Sequence, residues 1–205
     1  MEFFLENVKM KEFENKRVLE VGSKYVNGSV RPFIEKFMKP KEYIGVDIER
    51  GKYVDLVCPA EKLVECFGEN SFDVIISTET LEHIRDWRLA IQNMKKVLKP
   101  TGYIYITTRS IGFPFHSYPY DFWRFEIKDM KKIFKDFYII KIQRDYKGKG
   151  IFLKAQKPVK WRPANLENIK LYSIIFGKRI DFIPEIDQMP FFRKVKLHCE
   201  QFFKS

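Results

Sequence analysis

Apolar and polar positions follow two alternating patterns along residues 17–157. Short apolar runs, typical of strands buried in a sheet, are separated by segments whose apolar residues recur every three or four positions, as in amphipathic helices. Strands that alternate with helices predict a parallel sheet covered by helices. The five predicted parallel strands are residues 17–23, 42–48, 53–58, 71–78 and 103–108.

The predicted helices lie between these strands and after them. One spans 29–38, with Pro32 in its first turn, where proline is tolerated. The helix after the fourth strand has one apolar stripe and should end at Pro100 and Gly102. That stripe consists of Ile84, Trp87, Ile91, Met94 and Leu98, and a further helix carries Ile127, Met130, Phe134 and Phe137.

Two late strands, 138–146 and 150–157, are joined by a linker too short for a helical crossover. They therefore predict an antiparallel hairpin at one edge of a mainly parallel, seven-stranded sheet. We expect residues 1–160 to complete this α/β three-layer domain. Residues 161–205 would be a C-terminal extension that packs on the domain or mediates oligomerisation, with a helix over about 191–203.

Composition narrows the class of protein. A chain of 205 residues with 45% hydrophobic content can form one substantial core. Neither the N-terminus nor any later segment has an apolar run typical of a signal peptide or membrane span, so we expect a soluble, cytoplasmic protein. Three cysteines are too few for a disulfide framework and match no zinc pattern, so we expect core cysteines and no metal.

The net charge of +11 is unevenly distributed. Residues 126–160 contain 11 Lys/Arg against 4 Asp/Glu, whereas residues 1–125 contain 19 against 18. A basic region attracts anions such as nucleic acid, although a solvated lysine-rich surface has the same composition.

In a parallel sheet, ligands bind beyond the carboxyl ends of the strands. The first strand is followed by "EVGSKYVNGS", in which Gly22 allows close backbone approach, and the second ends at Asp47, which is placed to accept ribose hydroxyls. Lys24 stands where a dinucleotide fingerprint has its second glycine, and the next glycine is Gly28. A nicotinamide enzyme is therefore disfavoured.

This loop and the stretch "FDVIISTETLEHIRDWRLAIQNMKKVLKPTGYIYI" together resemble the class I S-adenosylmethionine-dependent methyltransferases, over residues 17 to about 158. The resemblance implies a Rossmann-like fold and S-adenosylmethionine as cofactor. The segment "STETLEH" after the fourth strand differs from the Asn/Asp-Pro-Pro-Tyr/Phe segment of adenine-directed methylases, which disfavours methylation of a base amine.

The resemblance also implies the cofactor site. Glu20 would lie near the methionine part, Gly22 at the backbone approach and Asp47 at the ribose. The Asp-Ala pair common after the third strand is replaced by Pro59 and Ala60, so either Glu61 or the Ala60 amide would contact the adenine. The full predicted set is Glu20, Gly22, Ser23, Asp47, Ile48, Ala60, Glu61, Ser77 and Thr78.

The ring-rich segment "SIGFPFHSYPYDFWRF" follows the fifth strand at the same edge. We expect it to form the acceptor pocket or its lid, with His116 as the general base. It is similar to an "HxYPxDxWRF" pattern of a methyltransferase subgroup, some members of which act in surface glycan pathways. Simple packing is the alternative, with Asp121 and Arg124 forming an i,i+3 ion pair. The predicted acceptor residues are Tyr118, Tyr120, Asp121, Trp123 and Arg124, whereas His83 is expected to be structural.

Three functions stay open at this point. The first is methyl transfer to an oxygen or nitrogen of a small-molecule or glycan-like acceptor. The second is methyl transfer to RNA or protein, with residues 126–160 as the docking edge. The third is a cofactor-binding regulatory or assembly module without turnover. A homodimer is compatible with all three, and stable membrane insertion with none.

Overall fold

The structure, a computed structural model, describes residues 2–116 and 120–184. Ten strands are present within these residues, and seven of them form one sheet with the order β3-β2-β1-β4-β5-β8-β7. The strands are β1 (Arg17–Val21), β2 (Glu42–Asp47), β3 (Leu56–Val57), β4 (Phe72–Thr78), β5 (Leu98–Arg109), β6 (Trp123–Arg124), β7 (Tyr138–Asp145), β8 (Gly150–Gln156), β9 (Leu171–Ser173) and β10 (Lys178–Ile180).

Strands β1 to β5 pair in parallel, and β8 runs antiparallel to both β5 and β7. The predicted edge hairpin is therefore present as β7 and β8. This architecture confirms the predicted Rossmann-like α/β fold with its mainly parallel seven-stranded sheet. It places the carboxyl ends of β1, β2, β4 and β5 along one edge of the sheet.

Helices cover both faces of the sheet, because successive strand residues point to opposite sides. On one face, Val18, Val74 and Tyr105 pack with the N-terminal helices. On the other, Leu19, Ile75 and Ile104 belong to the larger core. The helices are α1 (Glu2–Asn7), α2 (Met10–Phe13), α3 (Arg31–Phe33) with its π-helical continuation Ile34–Met38, α4 (Leu63–Phe67), α5 (Trp87–Val97) and α6 (Ile127–Ile133).

Several predicted elements have different bounds in the structure; the fifth strand, for example, begins at Leu98, five residues before its predicted start. The third strand is reduced to two residues, since Tyr53 has a left-handed φ of 71° and the Asp55 carboxylate binds the Gly45 amide at 2.7 Å. The long helix begins only at Trp87, because Asp86 caps it by accepting a hydrogen bond from the Leu89 amide. It ends at Val97, before the predicted stop at Pro100.

A second, three-stranded sheet joins the aromatic segment to the C-terminal extension. Strand β9 pairs antiparallel with both β6 and β10. Leu171 and Ile175 of the extension are buried in the larger core, and Arg88 of α5 donates to the carbonyl oxygens of Leu166 and Ile169. The described part of the extension thus packs on the side of the main sheet that α5 covers. The helix predicted over 191–203 lies outside the described residues.

The cysteines differ from the expectation of isolated core residues. Cys58, at the end of β3, is buried, whereas Cys66 on α4 is exposed, and the two form a disulfide across eight positions. The expectation of a core residue is confirmed for Cys58 and wrong for Cys66, and the disulfide between them was not predicted. Cys199 lies outside the described residues.

Candidate functional site

A cavity of about 1340 Å³ opens at the carboxyl edge of the main sheet. Its wall is built from the loops after β1, β2, β4 and β5, with β3 and the aromatic segment closing its sides. Ten of the sequence-predicted site residues line it together: Glu20, Gly22, Ser23, Asp47, Ile48, Ala60, Glu61, Thr78, His116 and Tyr120.

Gly22 is required by two features of the loop after β1. Its φ is +79°, a conformation that side chains disfavour, and a Cβ atom there would lie 2.0 Å from Thr80 Oγ1. The Thr80 hydroxyl in turn bonds the Val21 and Thr78 carbonyl oxygens. The glycine therefore lets the β1 and β4 loops pack closely beside the cavity.

Asp47 connects the second strand to the same loop. Its Oδ2 accepts a hydrogen bond from the Lys24 amide at 3.0 Å, and its Oδ1 accepts one from the Ile48 amide at 2.8 Å. Oδ1 also accepts a longer hydrogen bond from the Glu49 amide at 3.4 Å, whereas Oδ2 has a second lone pair for a ligand. The side chain is thus fixed on the cavity wall with acceptor capacity to spare.

Glu20 is a buried acid on the cavity wall. Burial raises the pKa of Glu20 to about 7, partly offset by the hydrogen bond that Tyr43 donates to its Oε2 at 2.8 Å. The folded protein therefore binds this proton more tightly than the unfolded chain, whose carboxyl titrates near 4.5. Consequently the free energy of unfolding should fall as pH rises from about 4.5 to about 7.

We predict that Glu20→Gln removes this part of the pH dependence. Relative to the wild type, the variant should gain about 2 to 3 kcal/mol of unfolding free energy between pH 5 and pH 8, because it buries no charge. Urea unfolding at four pH values measures the difference. Glu65→Gln, which changes an exposed carboxyl on α4, is the control and should run parallel to the wild type. Parallel profiles for Glu20→Gln as well would contradict the assignment.

The loop after β3 contributes Ala60 and Glu61. Ala60 is buried on the cavity wall, and burial raises the pKa of the half-buried Glu61 carboxyl. Of the two residues predicted after β4, Thr78 lines the cavity. Ser77 is fully buried and is not part of the wall.

Sequence reasoning missed three charged residues at the ends of β4 and β5. Glu79 has a left-handed φ of 52° and forms a close ion pair with Arg109, the last residue of β5. Glu82 is completely buried, and its Oε2 accepts a hydrogen bond from Thr108 Oγ1 at 2.9 Å. Burial, with the nearby Glu79 carboxylate, raises the pKa of Glu82. Glu79 and Glu82 belong to the "STETLEH" segment, from which the predicted cofactor set includes only Ser77 and Thr78. Glu79 was left without a definite role, and no sequence signal pointed to Arg109.

Two histidines stand side by side at this end of the cavity. The rings of His83 and His116 are 4.8 Å apart between centroids. His83 Nδ1 bonds the Tyr120 carbonyl oxygen, and burial lowers the pKa of His83. His116 Nδ1 lies 2.9 Å from Asp121 Oδ2, which also accepts the His116 amide. His83, expected to be structural, therefore lines the cavity beside the predicted base.

The other acceptor residues divide between wall and interior. Tyr120 is on the wall and 48% exposed, whereas Asp121, Trp123 and Arg124 are fully buried and are not on it. The i,i+3 ion pair is present, with Arg124 binding both Asp121 oxygens. Burial alone would raise the pKa of Asp121, but hydrogen bonds from Arg124 and His116 hold it at about 2. Tyr118 lies outside the described residues.

Known structures share this fold. The chain is 18% identical to the Burkholderia thailandensis 1,6-didemethyltoxoflavin-N1-methyltransferase, with a TM-score of 0.56 over 71% of this chain and 72% of that one. It is 17% identical to a SAM-dependent methyltransferase from Aquifex aeolicus, with a TM-score of 0.57 over 76% and 88%. It is 17% identical to phosphoethanolamine N-methyltransferase 2 of Haemonchus contortus, with a TM-score of 0.56 over 76% of this chain and 51% of that one.

The fold and cavity therefore define a protein of the methyltransferase class. Residues 2–138 match the family described as a methyltransferase domain, and the chain belongs to that family. This confirms the identification made from the sequence. No curated protein matches the chain. Within the described residues, no helix is long and apolar enough to cross a membrane.

Proposed function

We propose that the chain transfers a methyl group from S-adenosylmethionine to an oxygen or nitrogen of a small-molecule or glycan-like acceptor. One observation carries this proposal. The cavity brings together an acid from β1, an acid from β2 and the loop of Gly22 at one sheet edge. These are the positions that the resemblance assigns to the cofactor. Two similar structures are named as methyltransferases of small molecules, which supports an acceptor of that kind.

The residues on the wall fit this cofactor. Ser23 lines the cavity, and its Oγ is buried with no hydrogen-bond partner among the described residues. A polar atom of a bound ligand would supply the missing hydrogen bond. Asp47 has spare acceptor sites for ribose hydroxyls. Ile48 is apolar yet 54% exposed beside Asp47, which suits contact with a flat ring. Glu20 offers a carboxylate to a ligand ammonium group.

S-adenosylmethionine, when bound, supplies a methyl group on a positively charged sulfur. The chain's own residues would hold the acceptor in line with that methyl group and take up the proton that the acceptor loses. His116 can accept a proton at Nε2, because Asp121 keeps its Nδ1 hydrogen-bonded and its ring oriented. Tyr120, on the wall beside it, would contact the acceptor.

Calorimetry of the purified chain with S-adenosylmethionine and with NAD tests the proposal without requiring the acceptor. We expect a dissociation constant in the micromolar range for S-adenosylmethionine, about −8 kcal/mol. NAD should bind at least about 100-fold more weakly, because the Gly22 loop lacks the second glycine of a pyrophosphate cradle. Equal affinity for the two, or no binding of S-adenosylmethionine, would contradict the proposal.

A macromolecular acceptor is the second candidate, and the outer edge strand favours it. Strand β7 and its turn expose Tyr138, Arg144 and Tyr146, a basic and aromatic combination that suits nucleic acid. The basic count of residues 126–160 nevertheless overstates this surface, since Lys154 and Lys157 are buried. RNA binding that weakens steeply with salt, and that is lost in Tyr146→Ala, would support this candidate over the first.

Tight cofactor binding with no methylation of any acceptor would instead support the third candidate, a cofactor-binding module without turnover.

A further inference from the structure

Three potential metal ligands converge beyond the ends of β4 and β5. Glu82 and His83 come from the turn after β4, and His116 comes from the aromatic segment. One donor atom of each lies within 4.8 Å of the others. Ligands about 2.1 Å from a shared ion lie about 3 to 4 Å apart, so small side-chain rotations would bring these donors to one ion. The side chain of His116 is only partly buried, with 28% of it exposed.

Both histidines are held in the way that metal-binding histidines usually are. The Nδ1 of His83 is engaged by the Tyr120 carbonyl oxygen, and the Nδ1 of His116 by the Asp121 carboxylate. A carbonyl or carboxylate on one ring nitrogen fixes the ring and leaves the lone pair of Nε2 available. Two such Nε2 atoms on adjacent rings are a ready pair of ligands.

The carboxylate of Glu82 lacks a partner at the same place. Its side chain is completely buried, and its Oε1 has no hydrogen bond among the described residues. His83 Nε2 lies 4.0 Å from this oxygen and Arg109 Nε lies 3.9 Å from it, and Arg109 forms a closer ion pair with Glu79. A buried carboxylate oxygen without a hydrogen bond is costly unless it is protonated or meets a cation, and a metal ion between Glu82 and the two imidazoles would supply that cation.

We propose that Glu82 Oε1, His83 Nε2 and His116 Nε2 bind one divalent first-row transition-metal ion at the acceptor end of the cavity. Imidazole ligands suit zinc, copper, iron and nickel, whereas magnesium, calcium and manganese prefer oxygen ligands. Two histidines and one carboxylate leave positions of the ion open toward the cavity.

The consequence for the acceptor rests on the proposed function. The open positions would take an acceptor hydroxyl, whose pKa the ion lowers, with the released proton passing to water in the open cavity. His116 Nε2 would then bind the ion and could not also accept the acceptor's proton, so a metal site replaces the base role given to His116 under the proposed function. The acceptor class narrows to molecules that present a hydroxyl group.

Cobalt titration tests the site directly. The full chain is treated with EDTA, dialysed and titrated with CoCl₂, followed by visible absorption and calorimetry. We expect one Co²⁺ per chain, with affinity reduced at least about tenfold in Glu82→Gln and in His116→Gln. His198→Ala, the remaining histidine of the chain, is the control and should bind Co²⁺ like the wild type. Excess MgCl₂ should not displace the cobalt.

Absence of stoichiometric Co²⁺ binding by the wild type would overturn the proposal, as would unchanged affinity in His116→Gln. Because Glu82 is buried, the Co²⁺ affinity of Glu82→Gln counts only when the variant unfolds at the same temperature as the wild type. If it does not, the Co²⁺ affinity of His116→Gln, at a partly exposed residue, decides the test. Titration of the same samples with S-adenosylmethionine separates the two proposals. Cofactor binding without cobalt binding refutes the metal site alone, and cobalt binding without cofactor binding refutes the proposed function alone.

Discussion

Arg124→Met is expected to lower the free energy of unfolding by about 3 to 5 kcal/mol, because it leaves a buried carboxylate without its cation. The Arg124 guanidinium and the Asp121 carboxylate are both fully buried. Arg124 also donates to the carbonyl oxygens of Phe113 at 3.2 Å and Pro114 at 2.9 Å. One side chain thus holds the loop before His116 against the strand after it.

Urea unfolding provides the measurement, with Lys128→Met as the matched control. Lys128 forms an exposed ion pair with Glu126 at 3.0 Å, and exposed pairs contribute less than about 1 kcal/mol. The double variant Asp121→Leu with Arg124→Met should be more stable than Arg124→Met alone, since it removes both charges. An unfolding free energy within about 1 kcal/mol of the wild type for Arg124→Met would show that the pair is not a major support of the loop.

The parallel strands and the cavity edge could be predicted from the sequence for a local reason. Each apolar run is continuous, and the residue that follows it lies at the strand's carboxyl end. Asp47 could therefore be placed at the ligand-binding edge without knowing any of its contacts, whereas Glu20 was assigned by the resemblance to the methyltransferases. The same logic fails where a short element depends on a distant partner.

The aromatic segment is the clearest example of such a failure. Trp123 and Arg124 form a two-residue strand only because β9, nearly fifty residues later, pairs with it. With that pairing, both side chains are buried in the interior. From the sequence pattern alone, each could have been either a pocket wall residue or a core residue. Lys154 is a second example: its Nζ reaches Glu12 across 142 positions, at 2.8 and 2.9 Å from the two carboxylate oxygens. A basic residue assigned to a docking edge is thereby buried.

The meeting of Glu82, His83 and His116 could not be predicted for the same reason. The spacing between the two histidines matches no metal motif, and their approach depends on the Tyr120 carbonyl oxygen and the Asp121 carboxylate. Both of these partners lie in the segment whose path the small sheet sets. Contacts made by loops of this kind require tertiary structure before their chemistry can be recognised.

Asp47→Ala should weaken binding of S-adenosylmethionine by at least about 100-fold while the fold is retained. Hydrogen bonds to a charged acceptor contribute about 1.5 to 3 kcal/mol each, and the alanine removes both that Asp47 would accept from a ribose. The Lys24 and Ile48 amides also lose their acceptor. A loss of about 1 kcal/mol in unfolding free energy is therefore expected beside the loss of affinity.

Calorimetry on Asp47→Ala, Asp47→Asn and Asp73→Asn separates the cofactor contact from a general effect on the sheet. Asp47→Asn keeps one side-chain oxygen but no charge, so its affinity should fall between those of the wild type and Asp47→Ala. Asp73 stands at the opposite end of β4, where it accepts from the Arg17 amide and from Lys99. Asp73→Asn should change stability without changing cofactor affinity, since it is far from the cavity wall. Wild-type affinity in Asp47→Ala would remove Asp47 from the cofactor site, and an equal loss in Asp73→Asn would trace the effect to the sheet.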